Sequence, residues 1–278
     1  MPPAPDTATN DGLGLVWAAM TEATVPPLTL DVEHVSVRFG GLTALNDVSF
    51  SIASGEIVGL IGPNGAGKTT AFNVVCGFLA PTSGTVRFPA LGRQNLKPAQ
   101  LARAGVARTL QGVGLFDHLS VIENVMAGAQ SRPGGGFLAG LLGLPASSRR
   151  ERQMRDEALV MLDRLGVARF ARSLPGSIPY GIAKKVAVAR ALMSQPTLMM
   201  LDEPASGLDE AELNDFAALI SELKETMSVL LVEHNMDFVM PLVDRLVVLN
   251  FGQVIASGPP KVISHDEAVL AAYLGVDS

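Results

Sequence analysis

The sequence predicts an α/β core interrupted by a mostly helical insertion. Short apolar runs recur at Ile57–Ile61, Thr197–Leu201, Ser228–Val232 and Leu246–Leu249, each the length of a strand rather than a helix. The first of them is continuously apolar and ends in a Gly-rich turn, as a strand buried on both faces does. Between the first and second runs the texture changes. Arg149–Leu165 is rich in Arg, Glu, Leu and Met at helical spacing, and Ala183–Met193 also reads as helix. Strands alternating with helical segments define the α/β class, and 278 residues suffice for one large domain or two lobes sharing a core.

Taken in order, residues 1–27 hold Pro2, Pro3, Pro5, Pro26 and Pro27 with little charge. They read as a loose extension with a short helix around Leu15–Met20. Leu30, Val32, Val35 and Val37 give roughly alternating apolar positions across Leu28–Val37, and Val48, Phe50 and Ile52 continue the pattern over Ala44–Ile52. The expected layout is a core over 28–100 and 191–259, a helical subdomain over 101–190, and a closing helix over 260–276, about Pro260–Leu274. Within the insertion, Ser131–Arg150 contains Gly134-Gly135-Gly136 followed by Phe137–Leu144. There is no internal repeat.

Composition narrows the function classes. Hydrophobic residues make up 48% and charged residues 17%, with a mean hydropathy of +0.32. Soluble domains carry about 25% charge, so some apolar surface is expected to meet a partner. The net charge of -6 and pI near 5.2 argue against nucleic acid as that partner. The single cysteine, Cys76, excludes an internal disulfide and fits a reducing compartment. No Lys or Arg precedes Arg38, so the basic region of a secretory signal is missing. Leu13–Met20 is far short of the roughly 20 apolar residues a bilayer needs. The chain is expected not to cross a membrane by itself, although it can dock against one through a spanning partner.

Gly62-Pro63-Asn64-Gly65-Ala66-Gly67-Lys68-Thr69 matches G-x-x-x-x-G-K-[ST] directly after the strand Ile57–Ile61. Gly62, Gly65 and Gly67 let the backbone turn tightly, so that successive N–H groups face one concavity. The helix starting near Lys68 points its positive dipole end at the same place. Lys68 can reach the β- and γ-phosphates of a nucleotide, and the Thr69 hydroxyl can ligate Mg²⁺. Thr197–Leu201 then ends in Asp202-Glu203-Pro204. If that strand is buried beside the phosphate-loop strand, Asp202 falls near Mg²⁺ and holds its water shell. Glu203 then falls near the γ-phosphate and polarises the attacking water.

Together the phosphate loop, Leu201-Asp202-Glu203-Pro204, Ser206-Gly207-Leu208-Asp209 and Val232-Glu233-His234 resemble an ABC-transporter ATPase subunit. The resemblance covers about residues 28–276. Finer features resemble the ATP-binding subunits of branched-chain amino-acid importers: Arg38-Phe39-Gly40-Gly41, Phe72-Asn73, Arg108-Thr109-Leu110-Gln111, Leu115-Phe116, Glu123-Asn124-Val125, Ile178-Pro179-Tyr180-Gly181 and Ala272-Tyr273-Leu274-Gly275. The resemblance implies a P-loop NTPase fold of the ABC-ATPase type, with a RecA-like core, an antiparallel β subdomain and the helical subdomain. It implies an ATPase that closes as a dimer, with a second copy or a paralogue, against membrane permease subunits. The complex would sit at the cytoplasmic face of the membrane, served indirectly by a periplasmic or lipid-anchored solute-binding protein. ATP would lie on the phosphate loop, Thr70 included, with Phe39 stacked on adenine. Gln111 would sense Mg²⁺ and water, His234 would hold the γ-phosphate, and Ser206 and Asp209 would link the two sites.

The pattern departs from its family at the signature. Where Leu-Ser-Gly-Gly-Gln is usual, this chain has Ile178, Pro179, Tyr180, Gly181 and Ile182, so the serine hydroxyl that reaches the γ-phosphate from the partner is absent. Backbone N–H groups around Tyr180–Ile182 and the helix dipole are expected to replace it. Hydrolysis slowed to a regulatory role stays open on this ground. So does import of urea, amides or other solutes by the same kind of cassette. A soluble, non-transport ABC ATPase acting on DNA or ribosomes also stays open as an alternative, with the lack of the long coiled-coil insertions or paired cassettes of such proteins, and the acidic pI, weighing against it. His34, His118 and His265 lack metal-ligand spacing. The methionines read as core filling, and Cys76 as buried packing. Phe137–Leu144, followed by Arg149, Arg150, Arg152 and Arg155, is either a small packed helix or an apolar contact beside anionic headgroups.

Overall fold

Two sheets form back to back because the chain supplies two kinds of strand. A computed structural model describes residues 28–109, 112–131 and 145–274. The extension with its expected helix, Leu110, Gln111, the Phe137–Leu144 segment and Gly275 lie outside those residues. The strands β1 (Leu28–Phe39), β2 (Leu42–Ala53), β4 (Ser83–Phe88) and β5 (Arg93–Gln94) make a four-stranded antiparallel sheet in the order β2-β1-β4-β5. Its inward face holds Leu30, Val32, Val37, Val48 and Ile52, the alternation that period-2 side chains give to a half-buried strand.

The second sheet has the order β10-β9-β3-β8-β7-β6, from β3 (Ile57–Ile61), β6 (Val106–Arg108), β7 (Leu198–Asp202), β8 (Ser228–Val232), β9 (Arg245–Asn250) and β10 (Gln253–Gly258). All neighbours are parallel except β10, which returns antiparallel to β9. Its central strands are buried on both faces, and alternate residues enter two separate cores. Val58, Leu60, Met200, Leu230 and Val247 pack towards the four-stranded sheet and α1 (Lys68–Val75). Ile57, Ile61, Met199, Leu201, Leu231 and Val248 pack towards the helices. Gly59 faces the helical side, where a Cβ would lie 2.9 Å from Leu246 Cδ2.

The helices are α2 (Pro98–Arg103), α3 (Val121–Ala127), α4 (Pro145–Arg164), α5 (Tyr180–Leu192), α6 (Glu210–Leu223), α7 (Met236–Val239), α8 (Pro260–Ile263) and α9 (Glu267–Leu274). Three differences from the sequence reading follow from local chemistry. Val106–Arg108, placed in the helical subdomain, pairs parallel with β7 at the edge of the core sheet; three residues are too few to show a period. The single closing helix over 260–276 is two helices, because the Asp266 carboxylate caps a fresh start by accepting from Ala268 N (2.9 Å) and Val269 N (3.1 Å). Helix α5 begins at Tyr180, ahead of the expected Ala183, with Pro179 at its N-cap at φ -57, an angle the pyrrolidine ring sets in advance.

Candidate active site

The phosphate loop leaves β3 through Gly62, at φ +151, where a Cβ would stand 2.1 Å from Leu249 O. It enters α1 through Gly67, at φ +102, where a Cβ would stand 2.8 Å from Ala44 O. The loop is braced from outside: Gly252 N donates to Ala66 O (2.9 Å), and Asn46 N donates to Gly252 O (2.8 Å). At Gly65 a Cβ would meet nothing within 4 Å, so this part of the loop is open. The first turn of α1 carries no acidic residue and no side-chain cap, which leaves its N–H groups for an anion. Lys68 Nζ folds onto Gly62 O (2.7 Å) and Pro63 O (3.0 Å). Burial pushes this amine below its ordinary pKa, and the Glu203 carboxylate pulls it back up. Behind the loop, the buried hydroxyl of Tyr273 on α9 lies against the backbone of Gly62; burial raises its pKa and the Gly62 N–H opposes the rise.

Strand β7 is not beside β3, as the sequence reading has it, because β8 lies between them; its acids still reach this side because Asp202 pairs in register with Val232 of β8. Asp202 is buried, and that burial raises its pKa. Arg108, with Nη2 3.7 Å from Asp202 Oδ2, opposes the rise, while Glu203 and Glu233 add to it. The Arg108 guanidinium packs 4.9 Å from the ring centroids of both Phe72 and Phe78. Glu203 adopts φ +47, a left-handed backbone uncommon for a side chain of this size, and its N–H donates to Val232 O (2.9 Å). His234 Nδ1 lies 3.8 Å from Glu203 Oε1. Lys68, Asp202, Glu203 and His234 therefore lie on one side of the core sheet, with Glu203 acting on Lys68 and lying 3.8 Å from His234 Nδ1.

A basic phosphate loop facing two carboxylates and a histidine is a nucleotide-hydrolysing arrangement. The sequence pattern of the ABC transporter family matches residues 45–206. The chain belongs to that family. A second pattern, that of the branched-chain amino acid ATP-binding cassette transporters, matches residues 253–278. The cassette is 40% identical over 248 residues to the high-affinity branched-chain amino acid transport ATP-binding protein BraF of Pseudomonas aeruginosa, covering 88% of this chain and 97% of BraF. It is 41% identical to the corresponding protein LivG of Salmonella typhimurium, at the same coverage. Its fold matches the ADP conformation of MJ1267, an ATP-binding cassette of an ABC transporter, with TM-score 0.77 and 32% identity over 89% of this chain and 99% of that one. As an ABC cassette the chain is an ATPase whose hydrolysis is coupled to transport.

The other residues that the sequence assigns to the cassette fall on several elements. Pro179, exposed, and Tyr180 open α5; a Cβ at Gly181 would stand 2.3 Å from Glu212 Oε1, and one at Gly207 would stand 3.0 Å from Tyr180 Cε1. Ile182 is partly buried against the helical core. Asp209 caps α6 by accepting from Glu212 N (2.8 Å), and Ser206 is exposed in the turn before it. Phe39 ends β1 with 51% of its surface exposed. Thr69 is exposed and Thr70 partly so. Sequence reasoning missed the buried pair Lys184 and Glu233 and the Arg108 stack. In the sequence Lys184 sits beside Lys185 in an ordinary basic helix, and nothing marks which of the two turns inward. No helix among the described residues is long and apolar enough to cross a membrane.

Proposed function

We propose that this cassette powers import of branched-chain amino acids as one of two ATP-binding subunits working against a membrane permease at the cytoplasmic face. The observation that carries the reading is the branched-chain pattern over 253–278, joined to identities of 40% and 41% across nearly the whole of BraF and LivG.

In this reading Lys68 leaves the carbonyls of Gly62 and Pro63 for the β- and γ-phosphates, and the N–H groups of Gly65–Thr69 take the remaining phosphate oxygens. Phe39 stacks on the adenine. The donor set suits Mg²⁺ brought in with the phosphates: one hydroxyl, from Thr69, and one carboxylate, Asp202, whose burial makes a nearby cation welcome. Held by Thr69 and Asp202, Mg²⁺ would supply neutralisation of the charge on the phosphates. Glu203 orients the attacking water, His234 holds the γ-phosphate from the side facing Glu203, and Gln111 contacts the same water. Across a dimer, Pro179, Tyr180, Gly181 and Ile182 of the second subunit complete the site through backbone N–H groups at the start of α5, while Ser206 and Asp209 join the two halves. A solute-binding protein delivers the amino acid to the permease.

Uptake of labelled leucine at low concentration, in source cells carrying Glu203→Gln, tests the reading. Loss of uptake is expected. Unchanged uptake would overturn the substrate assignment, and the same cells would then be offered urea and amides.

A further inference from the structure

Two buried charges stand one on each side of the turn after Glu203. Glu233 has no exposed surface, and Lys184, on α5, is 6% exposed. Lys184 Nζ donates to the carbonyls of Pro204 and Ser206. Glu233 Oε1 accepts from the N–H of Ala205, the residue between them, at 2.6 Å. Glu233 Oε2 accepts from His234 N (3.0 Å) and Asn235 N (3.3 Å). Three consecutive backbone units are therefore held alternately by a cation and an anion, and the anion also holds the segment that carries His234.

We propose that Lys184 and Glu233 are a buried positioning pair that fixes the Glu203 carboxylate and His234 to the first turns of the signature helix. Buried charges persist only when paired and hydrogen-bonded, and here every hydrogen-bond partner is backbone belonging to the catalytic loops, with the His234 ring nitrogen Nδ1 a further 3.8 Å from Glu233 Oε2. Glu203 needs such support. Its φ of +47 is a strained conformation, and strain survives where the surroundings over-determine it. Val232 O holds it on the strand side, and the pair holds the chain immediately after it. The Tyr180 ring, centred 5.2 Å from Lys184 Nζ, covers the cation and joins the signature residues to it. Burial also lowers the pKa of Lys184, and Glu233 is the largest influence opposing it. Neither residue is assigned contact with nucleotide, so their effect is on the rate of hydrolysis rather than on ATP affinity.

The inference rests on Glu203 as the residue that orients water, so Glu203→Gln is measured beside the new variants. Steady-state ATPase of the full-length chain is compared for wild type, Glu203→Gln, Lys184→Met, Lys184→Arg, Glu233→Gln and the double variant Lys184→Met/Glu233→Gln. Removing either partner leaves a buried charge and unsatisfied backbone, so each single neutral variant should lower kcat about tenfold or more. The KM for ATP should stay within about threefold, as expected when only the chemical step is touched. Lys184→Arg, which keeps a charge and two donors, should retain kcat within about threefold of wild type. The double variant should lose less than the product of the single losses, the mark of a coupled pair.

Lys184→Met and Glu233→Gln both keeping wild-type kcat, while Glu203→Gln loses it, would overturn the pair. So would a loss confined to KM, or Lys184→Arg as impaired as Lys184→Met. If a single variant shows no cooperative melt, the double variant decides, since it buries no lone charge: folded with wild-type kcat, it overturns the proposal. Glu203→Gln retaining wild-type kcat would remove the reading of Glu203 itself, and the pair with it.

Discussion

Asp202 sits in a place that favours the neutral form of its carboxyl. Its folded pKa is raised above the ordinary 3.8, chiefly by burial and only partly offset by Arg108. A carboxyl with a raised folded pKa favours folding when protonated, so the stability it lends is lost as pH climbs from about 3.8 through the raised value. At pH 7 the nucleotide-free cassette therefore carries a penalty that Asp202→Asn removes. The variant should melt higher than wild type at pH 7, by about 2–4 °C for each 1 kcal/mol relieved. Thermal melts repeated towards pH 4 should show the gap closing, and ATPase activity should fall at every pH. An unchanged or lower melting temperature at pH 7 would mean that the Arg108 contact outweighs burial. The acids themselves were legible, because an apolar strand ending in Asp-Glu after a phosphate loop has few other readings. Arg108 was legible only as part of a resemblance. Its packing against Phe72 and Phe78 joins strand β6 to α1 and the turn that follows it, and no local pattern encodes such a meeting.

Elements behind the phosphate loop decide how firmly it is shaped. The turn between β9 and β10 braces it through Gly252, and α9 presses the Tyr273 hydroxyl towards Gly62. Tyr273→Phe keeps the ring in the helical core and removes only the hydroxyl, so the melt should hardly move. Because this buried hydroxyl has no hydrogen-bond partner among the described residues, the KM for ATP should stay within about twofold; a larger rise would show that the hydroxyl helps to shape the loop. Gly67→Ala acts more severely. Its φ of +102 is disfavoured for alanine, and the new Cβ would stand 2.8 Å from Ala44 O. Nucleotide binding, followed by calorimetry, should be lost or weakened about tenfold or more. Strands β4, β5 and β10 were missed, having no clean apolar period, while β1, β2, β3, β7, β8 and β9 were readable from alternation and apolar runs. Strand β6 was not, at three residues. The break between α8 and α9 was hidden too, because Ser264-His265-Asp266 fits a helix until the Asp266 carboxylate turns back to cap the next one.

At the scale of the whole molecule, α5 leaves its signature residues beside Gly207 and Glu212, and in the proposed dimer this is the face that a second subunit would meet. Gly181 is buried under Glu212 of its own chain, whereas Pro179 is exposed at the end of the helix. A negative charge at Pro179 therefore tests the dimer without disturbing the fold, since Asp is among the preferred N-cap residues and satisfies free N–H groups of α5. Pro179→Asp should melt at or slightly above the wild-type temperature. Combined with Glu203→Gln, which should retain ATP, it should stay monomeric by sedimentation in conditions where Glu203→Gln alone becomes a dimer, because the carboxylate would oppose the partner's γ-phosphate. Pro179→Ser, which restores the hydroxyl usual at this position, should dimerise at least as readily as the parent. A dimer unaffected by Pro179→Asp would remove the start of α5 from the shared site and leave the altered signature without a role in closure.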